Sequence, residues 1–144
     1  MGSTTASGPA AEAAASGAYG QRELTIRVNA IGTPWHEDDV RAAAAAGPDA
    51  VVLPKVGSAA DVHLLDAALE GAGAPDRTVI WGMLETPGAV LHAGEIAAAS
   101  ERLSVLVMGT NDLAAELHAT PGPCRAPLQA ALQLCLLAAR AAGR

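Results

Sequence analysis

The stretch TVIWGMLETPG, residues 78–88, decides the fold of this chain of 144 residues. Its first seven residues form an apolar run that begins with β-branched side chains, which predicts a buried strand. Glu85 follows the run directly. In the segment 87–100 after it, apolar residues are spaced as on one face of a helix. The stretch therefore predicts a strand, a carboxylate at its carboxyl end and a following helix.

Three other apolar runs have the same organisation, and they begin near Leu24, Ala50 and Leu103. The four starts, at positions 24, 50, 78 and 103, are separated by 26, 28 and 25 residues. This period fits repeated β/α units better than a helical solenoid. We therefore predict an α/β fold with about four parallel β/α units, half the number that closes a (β/α)8 barrel. The alternative is an open sheet of the flavodoxin type, and the lack of a phosphate-binding loop argues against it.

Capping residues mark the helices between these strands. Thr33 and Pro34 predict the N-cap and the first position of a helix that ends at Gly47. Ser58 and Asp61 predict a capping box at the start of the next helix. After the fourth strand we expect a short helix over 112–117, a turn over 120–123 and a long apolar helix over 128–142.

The charge and the apolar residues of the chain argue against two classes of partner, nucleic acids and membranes. Nine basic residues against fifteen acidic ones give a formal net charge of -6, which repels nucleic acid phosphates and anionic lipid surfaces. No stretch approaches the roughly 20 uninterrupted apolar residues of a membrane span. We therefore expect neither nucleic acid nor membrane as a partner. Cys124 and Cys135 have no metal-ligand spacing and make no disulfide framework, which fits a reducing, cytoplasmic location.

The N-terminal segment 1–20 differs in composition from the rest of the chain, because it consists largely of Ala, Gly, Ser and Thr. It lacks both the charged region and the apolar region of a signal peptide. We expect a disordered tail over 1–20 and a single domain over 21–144.

Two carboxylates follow neighbouring predicted strands at their carboxyl ends, which lie at one edge of a parallel sheet. Glu85 follows the third strand, and Asp112 comes shortly after the fourth. Neighbouring strands are about 4.8 Å apart, so we expect both carboxylates to reach one cation. Two carboxylates completed by water and substrate oxygens are typical of Mg²⁺. The alternative for each acid is a solvated carboxylate near a helix N-terminus.

Other polar groups complete this edge. Arg27, in the first strand, is suited to bind a substrate carboxylate through two parallel hydrogen bonds. Lys55 is either a Schiff-base residue or, as we favour, a solvated or salt-bridged lysine. The backbone N–H groups of the Gly-Thr-Asn segment 109–111 bind a carboxylate or a developing oxyanion, and the glycine at its start permits a close approach; the alternative is a turn without a ligand. We expect His36 and the other three histidines to be surface or packing residues.

Four stretches of the chain have the sequence, order and spacing typical of one family. They are IRVNAIGTPWHEDD (26–39), AVVLPKV (50–56), WGMLETPGAV (81–90) and VLVMGTNDLAAEL (105–117). They resemble the citrate lyase beta-subunit and malyl-CoA lyase family, part of the superfamily of metal-dependent hydroxy-keto-acid aldolases. The resemblance covers about residues 21–143, and it implies a partial TIM (β/α)8 barrel made of about four central units.

The resemblance also implies residue roles and an activity. Glu85 and Asp112 match the family's ligands to Mg²⁺, and Arg27 matches the arginine that engages the small acid. Backbone amides at Thr110 and Asn111 would hold a glyoxylate-, oxaloacetate- or pyruvate-like fragment. The implied reaction is Mg²⁺-dependent carbon–carbon lyase or aldolase chemistry through a metal-stabilised enolate. Its substrate would be a citryl-, malyl- or citramalyl-CoA type of hydroxyacyl-CoA, or a small hydroxy-keto acid.

The length of the chain leaves a second function open. A complete eight-unit barrel has about 250 residues, and we expect the first two units to be replaced by the tail and the last two to be absent. The alternative is a truncated, catalytically inactive or assembly-dependent half-barrel that binds a partner or ligand. Because four strands leave unpaired sheet edges, we also expect a homo-oligomer.

Overall fold

The computed structural model of the protein describes residues 7–120, 122 and 125–144. Its centre is a parallel sheet of four strands in the order β1-β2-β3-β4. Strands that are neighbours in sequence are therefore neighbours in the sheet, as in consecutive units of a TIM barrel. The predicted α/β fold with about four parallel β/α units is confirmed. The strands are β1 (Thr25–Arg27), β2 (Ala50–Leu53), β3 (Val79–Leu84) and β4 (Leu103–Met108).

Helices follow each strand, and a further helix precedes the first. The helix α7 packs against α4 and α5, and α2 packs against α1 and α3. Within the described ranges, no helix has the length and the apolarity needed to cross a membrane. The helices are α1 (Ser7–Ala15), α2 (His36–Ala46), α3 (Ala59–Gly71), α4 (Pro87–Leu91), α5 (Ala93–Ala97), α6 (Thr110–Glu116) and α7 (Gln129–Ala141), with a 3₁₀ turn at Ala126–Leu128 before α7.

One hydrophobic cluster joins the strands to the helices. All four residues of β2 are buried, as expected for a strand in the middle of a covered parallel sheet. In β3, buried residues alternate with half-buried ones. Ile80 and Leu84 lie on the fully buried face, whereas Trp81 and Met83 lie on the other face. That second face continues to the predicted site residues at the carboxyl ends of the strands.

The segment 1–20, for which we expected disorder, contains the helix α1. This helix contacts α2 and β1. Five of its nine residues are alanine, the residue with the highest helix propensity, which explains why a segment of low complexity is helical. The structure thus has a helix over Ser7–Ala15, where the composition led us to expect a disordered tail, and residues 1–6 lie outside the described part of the chain.

Two helix boundaries also differ from expectation. Thr33 does not cap α2, because its hydroxyl donates a hydrogen bond to the Ala30 carbonyl at 2.8 Å and so closes a turn. The predicted helix over 87–100 is divided into α4 and α5 at His92. There the ring Nδ1–H of His92 donates to the Gly88 carbonyl at 2.8 Å. The predicted turn over 120–123 falls partly on residues outside the described ranges.

Cys135, on α7, is a buried residue with 3 % exposure. Burial raises the pKa of this thiol above its ordinary value, so the reactive thiolate is scarce at neutral pH. We expect native Cys135 to react with iodoacetamide roughly tenfold or more slowly than in urea-unfolded protein. Peptide mapping by mass spectrometry measures its rate separately from that of Cys124. Equal rates in native and unfolded protein would contradict the buried position.

Candidate metal and substrate site

The carboxyl ends of the four strands form one edge of the sheet, which we call the carboxyl rim. The strand register places several of its side chains on one face. Arg27 pairs with Val52, and Val52 pairs with Trp81. Because side chains alternate along a strand, Glu85, four residues after Trp81, lies on the same face as Arg27. The carboxyl rim consists of residues 27–29, 54–57, 85–86 and 109–112.

Glu85 is a buried carboxylate at the end of β3, with 6 % of the residue exposed. Its Oε2 accepts a hydrogen bond from the backbone N–H of Lys55 at 3.0 Å, across the end of β2. On the other side it lies against Gly109, where an added Cβ would come within 2.8 Å of Oε1 and closer still to Cγ. The carboxylate is thus fixed between the ends of β2 and β4.

Lys55 contributes its main chain to the site. Its φ of 55° lies in the left-handed region, which is unfavourable for a residue with a Cβ. Such strain persists where the surrounding structure requires it, and functional sites are where it concentrates. In this conformation the amide of Lys55 points to Glu85, and the side chain is exposed. The structure therefore supports the solvated lysine that we favoured, with an added role for its backbone.

Asp112 lies close to the end of β4, in the first turn of α6, and is exposed. The backbone N–H of Gly109 donates to the Leu84 carbonyl at 2.9 Å, which extends the β3–β4 ladder to the rim. The helix α6 then begins at Thr110. The two predicted metal ligands, Glu85 and Asp112, therefore follow neighbouring strands, as expected from the sequence.

Thr110 and Asn111 are the first two residues of α6. The opening N–H groups of a helix have no intrahelical acceptor, so they are free to bind an oxygen ligand. Thr110 is half-buried and Asn111 is exposed. The position of both residues beside Glu85 and Asp112 is compatible with the predicted binding of an acid by backbone amides.

Arg27 is the last residue of β1 and is exposed. One strand, β2, lies between it and the strand that leads to Glu85, and the structure does not bring it into contact with either carboxylate. Among the residues that the structure describes, its guanidinium has no hydrogen bond or ion pair. An anionic ligand bound at the carboxyl rim would give this cation a partner.

The donor set of the rim fits Mg²⁺. Over the described ranges, no three His, Cys, Asp or Glu residues are grouped closely enough to hold a metal ion by themselves. Mg²⁺ does not need such a group, because it keeps several waters and binds through one or two carboxylates plus substrate oxygens. Glu85 and Asp112 supply two carboxylates, and the missing Cβ of Gly109 leaves the space that Glu85 occupies. These residues therefore suit a magnesium ion that also contacts substrate.

Parallel β/α units define a protein of the TIM-barrel type, and its candidate site lies at the carboxyl ends of the strands, where TIM-barrel enzymes have their active sites. The sequence profile of the HpcH/HpaI aldolase/citrate lyase family matches residues 4–144, and the chain belongs to this family. The resemblance seen in the sequence is thereby confirmed. So is the partial TIM barrel, because solved structures of citrate lyase beta subunits match the fold over part of their length.

Individual relatives show how much of such a protein the chain represents. It is 48% identical to a (3S)-malyl-CoA thioesterase of Cereibacter sphaeroides over 125 residues, 87% of this chain and 41% of the relative. It is 35% identical to the citrate lyase subunit beta of Leuconostoc mesenteroides subsp. cremoris over 130 residues, 87% of this chain and 43% of the relative. The chain thus spans about two fifths of the length of these curated relatives.

A solved structure adds ligands to the comparison. The protein CitE from Mycobacterium tuberculosis, in complex with magnesium, acetoacetate and coenzyme A, matches the fold with a TM-score of 0.68 at 32% identity. The match covers 84% of this chain and 43% of that chain. Magnesium and a small keto acid are therefore present together in a structure of this fold.

Sequence reasoning missed two features of the site. It expected Gly109 to allow a ligand to approach, but the group that approaches is Glu85. The sequence did contain a signal for this contact, namely a glycine directly after one strand and a glutamate directly after the neighbouring strand. It also missed the amide of Lys55 as the partner of Glu85, because a positive φ at a lysine leaves no mark in the sequence.

Proposed function

We propose that this chain carries the metal- and acid-binding part of a Mg²⁺-dependent carbon–carbon lyase that acts on CoA esters of small hydroxy acids. The observation that supports this most is the position of Glu85. Its carboxylate is buried at a strand end, held by the Lys55 amide and seated on Gly109, next to the strand that leads to Asp112. We also propose a cytoplasmic, homo-oligomeric protein that takes an acyl-CoA or hydroxy acid as ligand.

The residues have separate tasks in this proposal. Glu85 and Asp112 hold Mg²⁺, which when bound polarises a carbonyl and stabilises enolate charge. Arg27 binds the carboxylate of the small acid through two parallel hydrogen bonds and so fixes its orientation. The backbone N–H groups of Thr110 and Asn111 donate to oxygens of the keto-acid fragment. Burial of Glu85 keeps its orientation constant while the ligand exchanges.

Hydrolysis of a malyl-CoA thioester is a second candidate function. It is favoured by the 48% identity to a (3S)-malyl-CoA thioesterase, which exceeds the 35% identity to the citrate lyase subunit. The products separate the two reactions. A lyase releases an acyl-CoA and a keto acid, whereas a thioesterase releases free CoA and the hydroxy acid. Thiol titration and keto-acid detection on the same samples therefore decide between them.

Replacing Asp112 by asparagine tests the metal site. Asp112 is exposed, so D112N should fold normally while turnover of malyl-, citramalyl- or citryl-CoA falls by about 100-fold or more, because one of two Mg²⁺ carboxylates is lost. Turnover with Mg²⁺, compared with an EDTA control, measures the effect. The matched control is Glu116→Gln, an exposed carboxylate at the far end of α6, which should retain full activity. Wild-type turnover that EDTA does not change, or its complete absence, would contradict the proposal.

A further inference from the structure

Asp39, on α2, is a fully buried carboxylate that the proposed mechanism does not use. Its Oδ2 accepts two hydrogen bonds from one residue, from the backbone N–H of Asn29 at 2.9 Å and from the Asn29 side-chain amide at 2.6 Å. Within the described part of the chain, its Oδ1 has no hydrogen-bond partner. A buried carboxylate with an unpaired oxygen is costly. The neighbouring Val40 and Ala43 show that α2 already packs by apolar contacts, so the carboxylate needs a further explanation.

A second residue of α2 binds the same asparagine. The Nδ1 of His36 lies 2.7 Å from the backbone carbonyl of Asn29, and because a carbonyl only accepts, Nδ1 carries the proton. The backbone N–H, the backbone carbonyl and the side-chain amide of Asn29 are all bound by α2. We call His36, Asp39 and Asn29 the Asn29 clamp.

The Asn29 clamp begins where the sheet stops supporting the chain. The last ladder bond of β1 runs from the Val28 N–H to the Val52 carbonyl at 3.1 Å. β1 has only three residues and pairs only with β2 in the described sheet. Arg27, two residues before Asn29, has no side-chain partner of its own in the described ranges. Buried Ile26 and Val28 anchor this strand on one face, but β2 is the only strand that hydrogen-bonds to it in the described sheet, and the clamp fixes the backbone directly beyond that pairing.

We propose that the Asn29 clamp sets the position of Arg27 for ligand binding, which makes Asp39 and His36 positioning residues. The proposal rests on the proposed function, in which Arg27 binds the carboxylate of a small acid. Binding groups have to be held to within a fraction of an ångström, and their supporting residues provide that precision. In this proposal the buried carboxylate of Asp39 serves to align Arg27 at the carboxyl rim and not to stabilise the fold.

A double-mutant cycle tests the coupling between Asp39 and Arg27. The probe is pyruvate in the presence of Mg²⁺, and NMR titration measures its affinity for the full chain. We expect D39N to weaken binding roughly tenfold when Arg27 is present and to have no further effect in R27M protein. In free protein, ¹⁵N relaxation at Arg27 Nε should show increased motion in D39N. A merely structural role predicts neither the coupling nor the added motion.

Matched variants separate positioning from stability. Thr78 is also fully buried, and its hydroxyl donates to the Pro48 carbonyl at 2.7 Å at the opposite end of the sheet. Thr78→Val should therefore lower stability while leaving pyruvate affinity and Arg27 motion unchanged. His36→Ala should weaken pyruvate binding, and His36→Asn should restore part of it, since an asparagine amide can replace the Nδ1–H donor. This pair supplies the test if D39N does not fold.

The outcomes distinguish the two proposals. If R27M binds pyruvate as well as wild-type protein, or if wild-type protein binds none, the proposed role of Arg27 fails and the positioning role fails with it. If R27M weakens binding while D39N and H36A do not, only the Asn29 clamp is refuted. If D39N weakens binding equally with and without Arg27, the effect does not pass through Arg27 and the inference is wrong.

Discussion

Replacing Gly109 by alanine should abolish most of the Mg²⁺ affinity of the protein. The added Cβ would lie 2.8 Å from Glu85 Oε1 and closer to Cγ, a separation that real Cβ atoms do not adopt. Glu85 has little room to withdraw, because it is 6 % exposed and its other oxygen is bound by the Lys55 amide. We expect G109A to lower Mg²⁺ affinity by roughly 100-fold and the free energy of unfolding by about 1–3 kcal/mol.

Calorimetric titration with Mg²⁺ and urea unfolding measure these two effects. The matched control is Gly94→Ala in α5, where an added Cβ meets no atom within 4 Å. G94A should keep wild-type Mg²⁺ affinity and raise the free energy of unfolding by up to about 1 kcal/mol, because alanine favours the helix. Wild-type Mg²⁺ affinity in G109A would mean that Glu85 is not the metal ligand that we propose.

The strands were predictable because each depends on a local apolar run. The starts expected for β2 and β4, near Ala50 and Leu103, agree with the structure. The capping box at Ser58 and Asp61 is also confirmed, since Asp61 Oδ2 accepts from the Ser58 N–H at 3.0 Å. Such features involve residues that are close in sequence, so they can be recognised from the sequence alone. Thr33 shows the limit, because its hydroxyl closes a turn where capping was predicted.

The site was predictable only in part. Because the strands are arranged in sequence order, Glu85 and Asp112 follow neighbouring strands. The regular spacing of the apolar runs was enough to predict this arrangement. The contact of Glu85 with Gly109 depends on the register between β3 and β4, which pairs Leu84 with Met108. The burial of Asp39 depends on how α2 lies against the end of β1. Neither relation is encoded by spacing along the chain, so both required the tertiary structure.

Replacing Arg102 by methionine should cause a large loss of stability without affecting the carboxyl rim. Arg102 directly precedes β4, at the amino end of the sheet, and its side chain is 16% exposed. Its Nε donates to Asp66 on α3 at 3.0 Å, and one terminal nitrogen donates to the carbonyls of Thr78 at 2.9 Å and Pro75 at 3.2 Å. One side chain therefore joins α3, the loop before β3 and the start of β4.

Methionine retains much of the apolar contact but leaves Asp66 without its cation and the Thr78 carbonyl without its Arg102 donor, whereas the Pro75 carbonyl keeps the Thr78 N–H at 2.9 Å. The cost of leaving such partly buried groups unpaired predicts a loss of about 2–4 kcal/mol in the free energy of unfolding.

The matched control is Arg41→Met, because Arg41 pairs with Glu37 and Asp38 on the surface and its side chain is 62% exposed. That change should stay within about 0.5 kcal/mol. Equal losses in the two variants, measured by urea unfolding, would show that the Arg102 network does not join these elements. Unchanged Mg²⁺ affinity in R102M would confirm that the amino end supports the fold independently of the rim.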